Sequence, residues 1–78
     1  MSYLSAPDPA PSLTEQATAL LRREILTASL APGETLSEAQ AAERLGLGKA
    51  PVRAALARLA EEGLIQAMPR RGWVVALV

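Results

Sequence analysis

The sequence predicts a mainly α fold with one small β-hairpin, three helices followed by a two-stranded wing. Three observations predict it. Apolar residues recur at helical spacing in three stretches, each preceded by a residue suited to begin a helix. The second and third stretches are separated only by Gly46-Leu47-Gly48, too short for anything but a tight turn. After the third, two strand-like segments flank Pro69-Arg70-Arg71-Gly72, which supplies turn chemistry. This order describes a winged helix-turn-helix.

The elements follow in order. Residues 1–11 are rich in Pro, Ser and Ala, with Pro7, Pro9 and Pro11 alternating, and predict a disordered arm. The folded domain is then 12–78. Ser12 and Glu15 form a capping box, and Leu13, Ala17, Leu20, Leu21, Ile25 and Ala28 give a first helix over residues 13–30. Pro32-Gly33 ends it, and Thr35-Leu36 fits a very short strand. Ser37 with Gln40 opens a second helix over 37–45, with Gly46 as its left-handed end. Gly48 starts the third, over 49–62, with Pro51 in the first turn where no backbone donor is needed. Its Val52, Ala55, Leu56 and Leu59 form a stripe facing the core. Gly63 closes it. Residues 64–68 and 73–78 are the expected wing strands. The expected core is Leu20, Leu21, Ile25, Leu36, Leu45, Val52, Leu56, Leu59 and Ile65, with Trp73 anchoring the hairpin.

Composition narrows what such a domain can do. Seventy-eight residues make one domain, and a chain this short buries roughly 60% of its unfolded surface. With neither cysteine nor histidine, disulfides are excluded and most metal-ligand and nucleophile–base arrangements lose their parts. Ser5, Ser12, Ser29 and Ser37 have no histidine to activate them, so an enzyme is not expected and no cofactor is implied. No apolar run suits a membrane span and no secretory signal pattern opens the chain, which points to a soluble cytoplasmic protein. Eight cations balance eight anions, so non-specific attraction to a polyanion should be weak.

The distribution of charge says more than its sum. Between Gly46 and Ala60 stand Lys49, Arg53 and Arg58 without an acid, and Arg70 and Arg71 form a second cluster at the hairpin tip. On a helical wheel Lys49, Ala50, Arg53, Ala54 and Ala57 lie opposite the core stripe. An outward helix face with cations among alanines lets a groove wall approach closely, and a basic hairpin beside it can reach phosphate or a minor groove. An ordinary solvated face is the simpler explanation for the helix alone. The small side chains, the short turn and the basic hairpin together favour binding to double-stranded DNA. The alternative is a winged-helix module that binds protein, which zero net charge and an alanine-rich face would also suit.

From about Thr14 to Val75 the chain resembles the DNA-binding domain of GntR-family transcriptional regulators, in particular the FadR-like (FCD) branch, whose effector domain is all-helical. The resemblance is carried by Ala31-Pro32-Gly33-Glu34, Leu36-Ser37-Glu38, Leu45-Gly46-Leu47, Pro51-Val52-Arg53, Ala55-Leu56, Arg58-Leu59, Glu62-Gly63-Leu64-Ile65, Pro69 and Arg71-Gly72. It implies that the third helix enters the major groove while the wing tip meets minor groove or backbone. Lys49 and Arg53 match positions that contact DNA, and Arg71-Gly72 matches the wing tip. With Ala50 on the same helix face and Arg70 at the same tip, the expected DNA-binding residues are Lys49, Ala50, Arg53, Arg70, Arg71 and Gly72.

Departures from the family pattern qualify what is recognised. Gly48-Lys49-Ala50 stands where Ser-Arg-Thr is common, Ala39 where Arg often follows Ser-Glu, and Ala54 where Glu usually follows Arg53. Each removes a hydrogen-bonding group or replaces an arginine fork with a point charge, which implies weaker or shape-dependent recognition. Ala41, in place of a larger aliphatic, implies closer packing or a small defect between the first and second helices. Regulators of this kind carry a further C-terminal domain that binds a metabolite and dimerises. The expectation is therefore an excised DNA-reading domain or a short stand-alone homologue, monomeric by itself, whose parent binds a near-palindromic operator as a homodimer.

Overall fold

The computed structural model describes residues 11–77 of the chain; the arm expected at 1–11 lies, apart from Pro11, outside the described residues. Within them the order is α1 (Leu13–Leu26), β1 (Thr35–Leu36), α2 (Glu38–Leu45), α3 (Lys49–Glu61), β2 (Ile65–Met68) and β3 (Gly72–Val75). Three helices and a wing hairpin make the winged helix-turn-helix that the sequence predicts.

Helix starts follow the local chemistry. The Ser12 hydroxyl accepts from the Glu15 N–H at 3.0 Å while the Glu15 carboxylate accepts from the Ser12 N–H at 2.8 Å. Ser37 and Gln40 repeat this box at α2 with the same two distances. Two initial backbone donors are thereby satisfied at each helix. Gly46 ends α2 in the left-handed conformation at φ +69°, as its position requires.

The end of α1 departs from expectation. The helix stops at Leu26, short of the expected residue 30, because Thr27 leaves helical geometry and Ala28 adopts φ +63°. The Leu30 N–H reaches back to the Glu24 carbonyl at 3.0 Å, and the Leu30 side chain, 1% exposed, returns to the core. Burying a leucine this way compensates for the left-handed alanine, which periodicity alone cannot anticipate. Pro32-Gly33 belong instead to the next turn, closed by the Glu34 N–H on the Ala31 carbonyl at 2.9 Å with Gly33 at φ +83°. Proline followed by a positive-φ glycine is the pattern of a type II turn.

The core forms where α1 and α2 both pack on α3. Ala17, Leu21, Leu30, Leu36, Ala41, Ala42, Val52, Ala55, Leu56, Leu59, Ile65 and Val75 are buried together. Four alanines among them let the short helices approach closely, and Ala41 is fully buried, consistent with tight packing of α2. Leu20 is a correction: it is 43% exposed, because Leu21, 100° round the helix, takes the core position with Ala17. Ile25 and Leu45 pack against the core only partly buried, as does Trp73. Thr18 is buried, and its hydroxyl donates to the Thr14 carbonyl at 2.7 Å.

The wing is the expected two-stranded hairpin, and the short strand expected at Thr35-Leu36 joins it. β2 and β3 pair antiparallel from Ile65↔Val75 to Met68↔Gly72, and β1 adds to the other edge of β3 through Thr35↔Val74 and Leu36↔Trp73. The sheet therefore has three strands in the order β1-β3-β2. Gly72, at φ +88°, permits this: a Cβ there would stand 2.7 Å from the Leu36 carbonyl oxygen. The added strand ties the wing to the entrance of α2.

Candidate nucleic-acid interface

The candidate surface comprises the start of α3 and the tip of the wing. Gly48 is its N-cap, in extended conformation and without a side-chain cap, and no acid lies in the first turn. The first backbone N–H groups thus have no capping side chain to accept from them. Lys49 and Ala50 are exposed at this end, Arg53 and Ala57 along the same face, while Ala54 is half-buried and not fully outward. The buried stripe Val52, Ala55, Leu56 and Leu59 fixes which face that is.

Arg53 is held from the neighbouring helix. Its Nε donates to both carboxylate oxygens of Glu38, at 3.0 and 3.1 Å. The arginine side chain is 67% exposed and that of Glu38 27%. Glu38 sits at the first position of α2, directly after the Ser37 cap, so a fixed backbone carries the carboxylate. Sequence reasoning missed Glu38 as a site residue. Its only signal is its place in Leu36-Ser37-Glu38, since an ion pair between positions 15 apart depends on the angle between two helices.

At the wing tip Pro69, Arg70 and Arg71 are exposed. The Arg71 N–H donates to the Met68 carbonyl at 3.0 Å, and Arg70 has φ +64° within that turn. Glycine or asparagine would adopt this conformation more easily; an arginine there carries strain on the order of 1 kcal/mol. Gly72, also expected at the interface, has the steric task already described against Leu36.

Two other arginines pair with acids elsewhere in the fold. Arg22 Nε donates to Glu62 at 3.1 Å, and Arg44 pairs with Glu24, bonding also to the Ser29 carbonyl at 3.1 Å. Lys49, Arg70 and Arg71 form no ion pair among the described residues. Arg23 and Arg58 form none either, so a net charge of zero covers a mixed surface. Three acids engage arginines, one of them Arg53, while Lys49 at the start of α3 and Arg70 and Arg71 at the wing tip are among the described cations left open.

Comparison with known proteins agrees with this geometry. Residues 13–75 match the family of bacterial regulatory proteins called the gntR family. The HTH-type transcriptional repressor RspR of Escherichia coli is 42% identical over 65 residues, covering 83% of this chain and 28% of that protein. An uncharacterized HTH-type transcriptional regulator from an unstable DNA locus of Streptomyces ambofaciens is 47% identical over 58 residues, 74% of this chain and 25% of its own length. Among solved structures, a GntR-family transcriptional regulator from Pseudomonas syringae superposes with a TM-score of 0.74 at 31% identity, over 90% of this chain and 30% of the other. YtrA, a GntR-family transcription factor from Sulfolobus acidocaldarius, gives 0.72 at 28% identity over 91% and 61%. The chain thus spans little more than a quarter of the length of these curated relatives. From its sequence, its three-stranded winged helix and these likenesses, the chain belongs to the GntR family of bacterial transcriptional regulators.

Proposed function

We propose that this chain is the sequence-specific DNA-reading domain of a metabolite-responsive bacterial regulator. α3 enters the major groove by its Lys49–Ala50–Arg53 edge, and the wing tip sets Arg70 and Arg71 on the backbone or in the minor groove beside it. The observation that carries this reading is the uncapped start of α3, which presents small side chains, the unpaired Lys49 and the exposed Arg53, together with a wing whose tip holds an arginine in a strained conformation. N-terminal residues of a recognition helix are those that meet base edges. Gly72 acts through shape, by seating the wing against β1.

The relatives' greater length supports a parent protein with an effector domain beyond this one, and the FadR-like resemblance supports an all-helical one. Such a parent dimerises and places two copies of α3 on the half-sites of a near-palindromic operator. The work is regulatory and not catalytic. No described helix is long and apolar enough to cross a membrane, which suits a cytoplasmic regulator.

Selection of bound sequences from a random duplex pool, followed by a salt titration, tests the reading. A recovered consensus and a log–log salt slope of about −2 to −4, for two to four phosphate contacts, are expected. Absence of enrichment together with a flat salt response would instead identify a protein-binding module.

A further inference from the structure

We propose that Glu38 is a positioning residue that presents Arg53 end-on to a guanine. The inference rests on the DNA-reading function proposed above and goes beyond it, by assigning a role to a residue of α2 and a base to Arg53.

An arginine offers two pairs of parallel donors, Nε with one Nη along its side and the two Nη groups at its end. In this chain the Nε donor is already taken, because both oxygens of Glu38 lie 3.0 and 3.1 Å from it, so the side pair cannot serve a base as a pair. The end pair stays in solvent on a side chain 67% exposed. Two parallel donors match the O6 and N7 acceptors of guanine in the major groove, whereas adenine sets a donor, its N6 amino group, opposite one of them. The clamp also limits the conformations of a long, exposed side chain before DNA arrives, so less freedom is lost on binding. Lys49 on the same edge has neither a planar fork nor a partner among the described residues, and supplies only a point charge.

A carboxylate beside the groove has a second effect. It repels phosphate, and so weakens binding to every sequence equally. Glu38 therefore lowers random affinity and raises specific affinity, and its removal should move the two in opposite directions. A merely structural role, such as an acid favouring the start of α2 through the helix dipole, cannot produce that signature.

The test measures affinity of the chain at fixed low salt for the selected duplex, for the same duplex with the guanine replaced by 7-deazaguanine or adenine, and for random duplex. In Glu38→Gln, affinity for the selected duplex should fall roughly three- to tenfold, part of the value of a bidentate contact, while random affinity rises. In Glu38→Asp, which keeps the charge at the start of α2 but shortens the reach, discrimination should fall with little change in melting temperature. In Arg53→Ala the further change Glu38→Gln should no longer affect discrimination. If Arg53→Ala abolishes discrimination between guanine and 7-deazaguanine but both Glu38 variants retain it, the positioning role is overturned and DNA reading stands. If Arg53→Ala retains it, Arg53 does not read that guanine and the proposal falls at its base.

Discussion

α2 and α3 begin in opposite ways. At α2 the Ser37–Gln40 box closes two backbone donors on side chains of the same helix, and Glu38 places an acid at the positive end of the dipole. At α3 there is a glycine cap with no side-chain acceptor, no acid, and Lys49 as the first residue. A cation there is unfavourable by a few tenths of a kcal/mol or more, although Pro51 in the first turn fits without loss of a donor. The buried stripe of α3, not its start, holds it in place. One helix end is thus satisfied within the protein, while the other is left open for an anionic partner, as helix N-termini that meet phosphate commonly are.

The largest expected effect tests whether the stripe compensates for the poor start of α3. Leu56 is fully buried, and Leu56→Ala should cost about 2–5 kcal/mol, enough to unfold most molecules of so small a domain. A cooperative urea transition at near-native midpoint would show that α3 is held by something else. The intermediate effect compares the two starts directly. Ser37→Ala should lose about 1 kcal/mol, whereas Gly48→Ser should gain a few tenths. There is room for it: a Cβ on Gly48 meets only Pro51 Cδ, at 3.8 Å. Thermal melts in which both variants shift the same way would erase the contrast.

The smallest effect is a pH dependence at α1, whose start resembles that of α2 but uses a carboxylate. The backbone N–H of Ser12, and then its hydroxyl, hold the Glu15 carboxyl below its ordinary 4.5. A carboxyl lowered on folding stabilises the fold above its ordinary value, and that contribution disappears as pH falls through the lowered one. Glu15→Gln keeps an acceptor that cannot titrate. Its melting temperature should decline less than that of the wild type on acidification below pH 4.5, and an identical decline would remove Glu15 as a cause.

Legibility in the sequence divides along the same line. Ser12–Glu15, Ser37–Gln40, Gly46 and Gly48 act on neighbours within a few residues, so the helix starts and the turn of the helix-turn-helix were readable from local chemistry. The end of α1 was not, because Ala28 adopts a conformation that glycine would advertise and Leu30 enters the core for reasons of packing. The choice of Leu21 over Leu20 needed the position of α3. The short strand at Thr35-Leu36 was legible, but its pairing with the wing needed the approach of Gly72 to Leu36, 36 positions away in sequence. At the interface, residue types and exposure were legible for Lys49, Arg53, Arg70 and Arg71. The Glu38–Arg53 pair, fixed by an interhelical angle, was not.

The central claim is that α3 reads bases while the wing anchors. Parallel titrations of Arg53→Ala and Arg70→Ala on the selected duplex and on random duplex, each across a range of salt, test it most directly. Arg53→Ala should lose about 1–3 kcal/mol on the selected site and much less on random DNA. Arg70→Ala should weaken both alike and lower the salt slope by about one unit. Equal loss on both duplexes from both variants would contradict the claim, and leave a domain that grips the backbone without reading sequence.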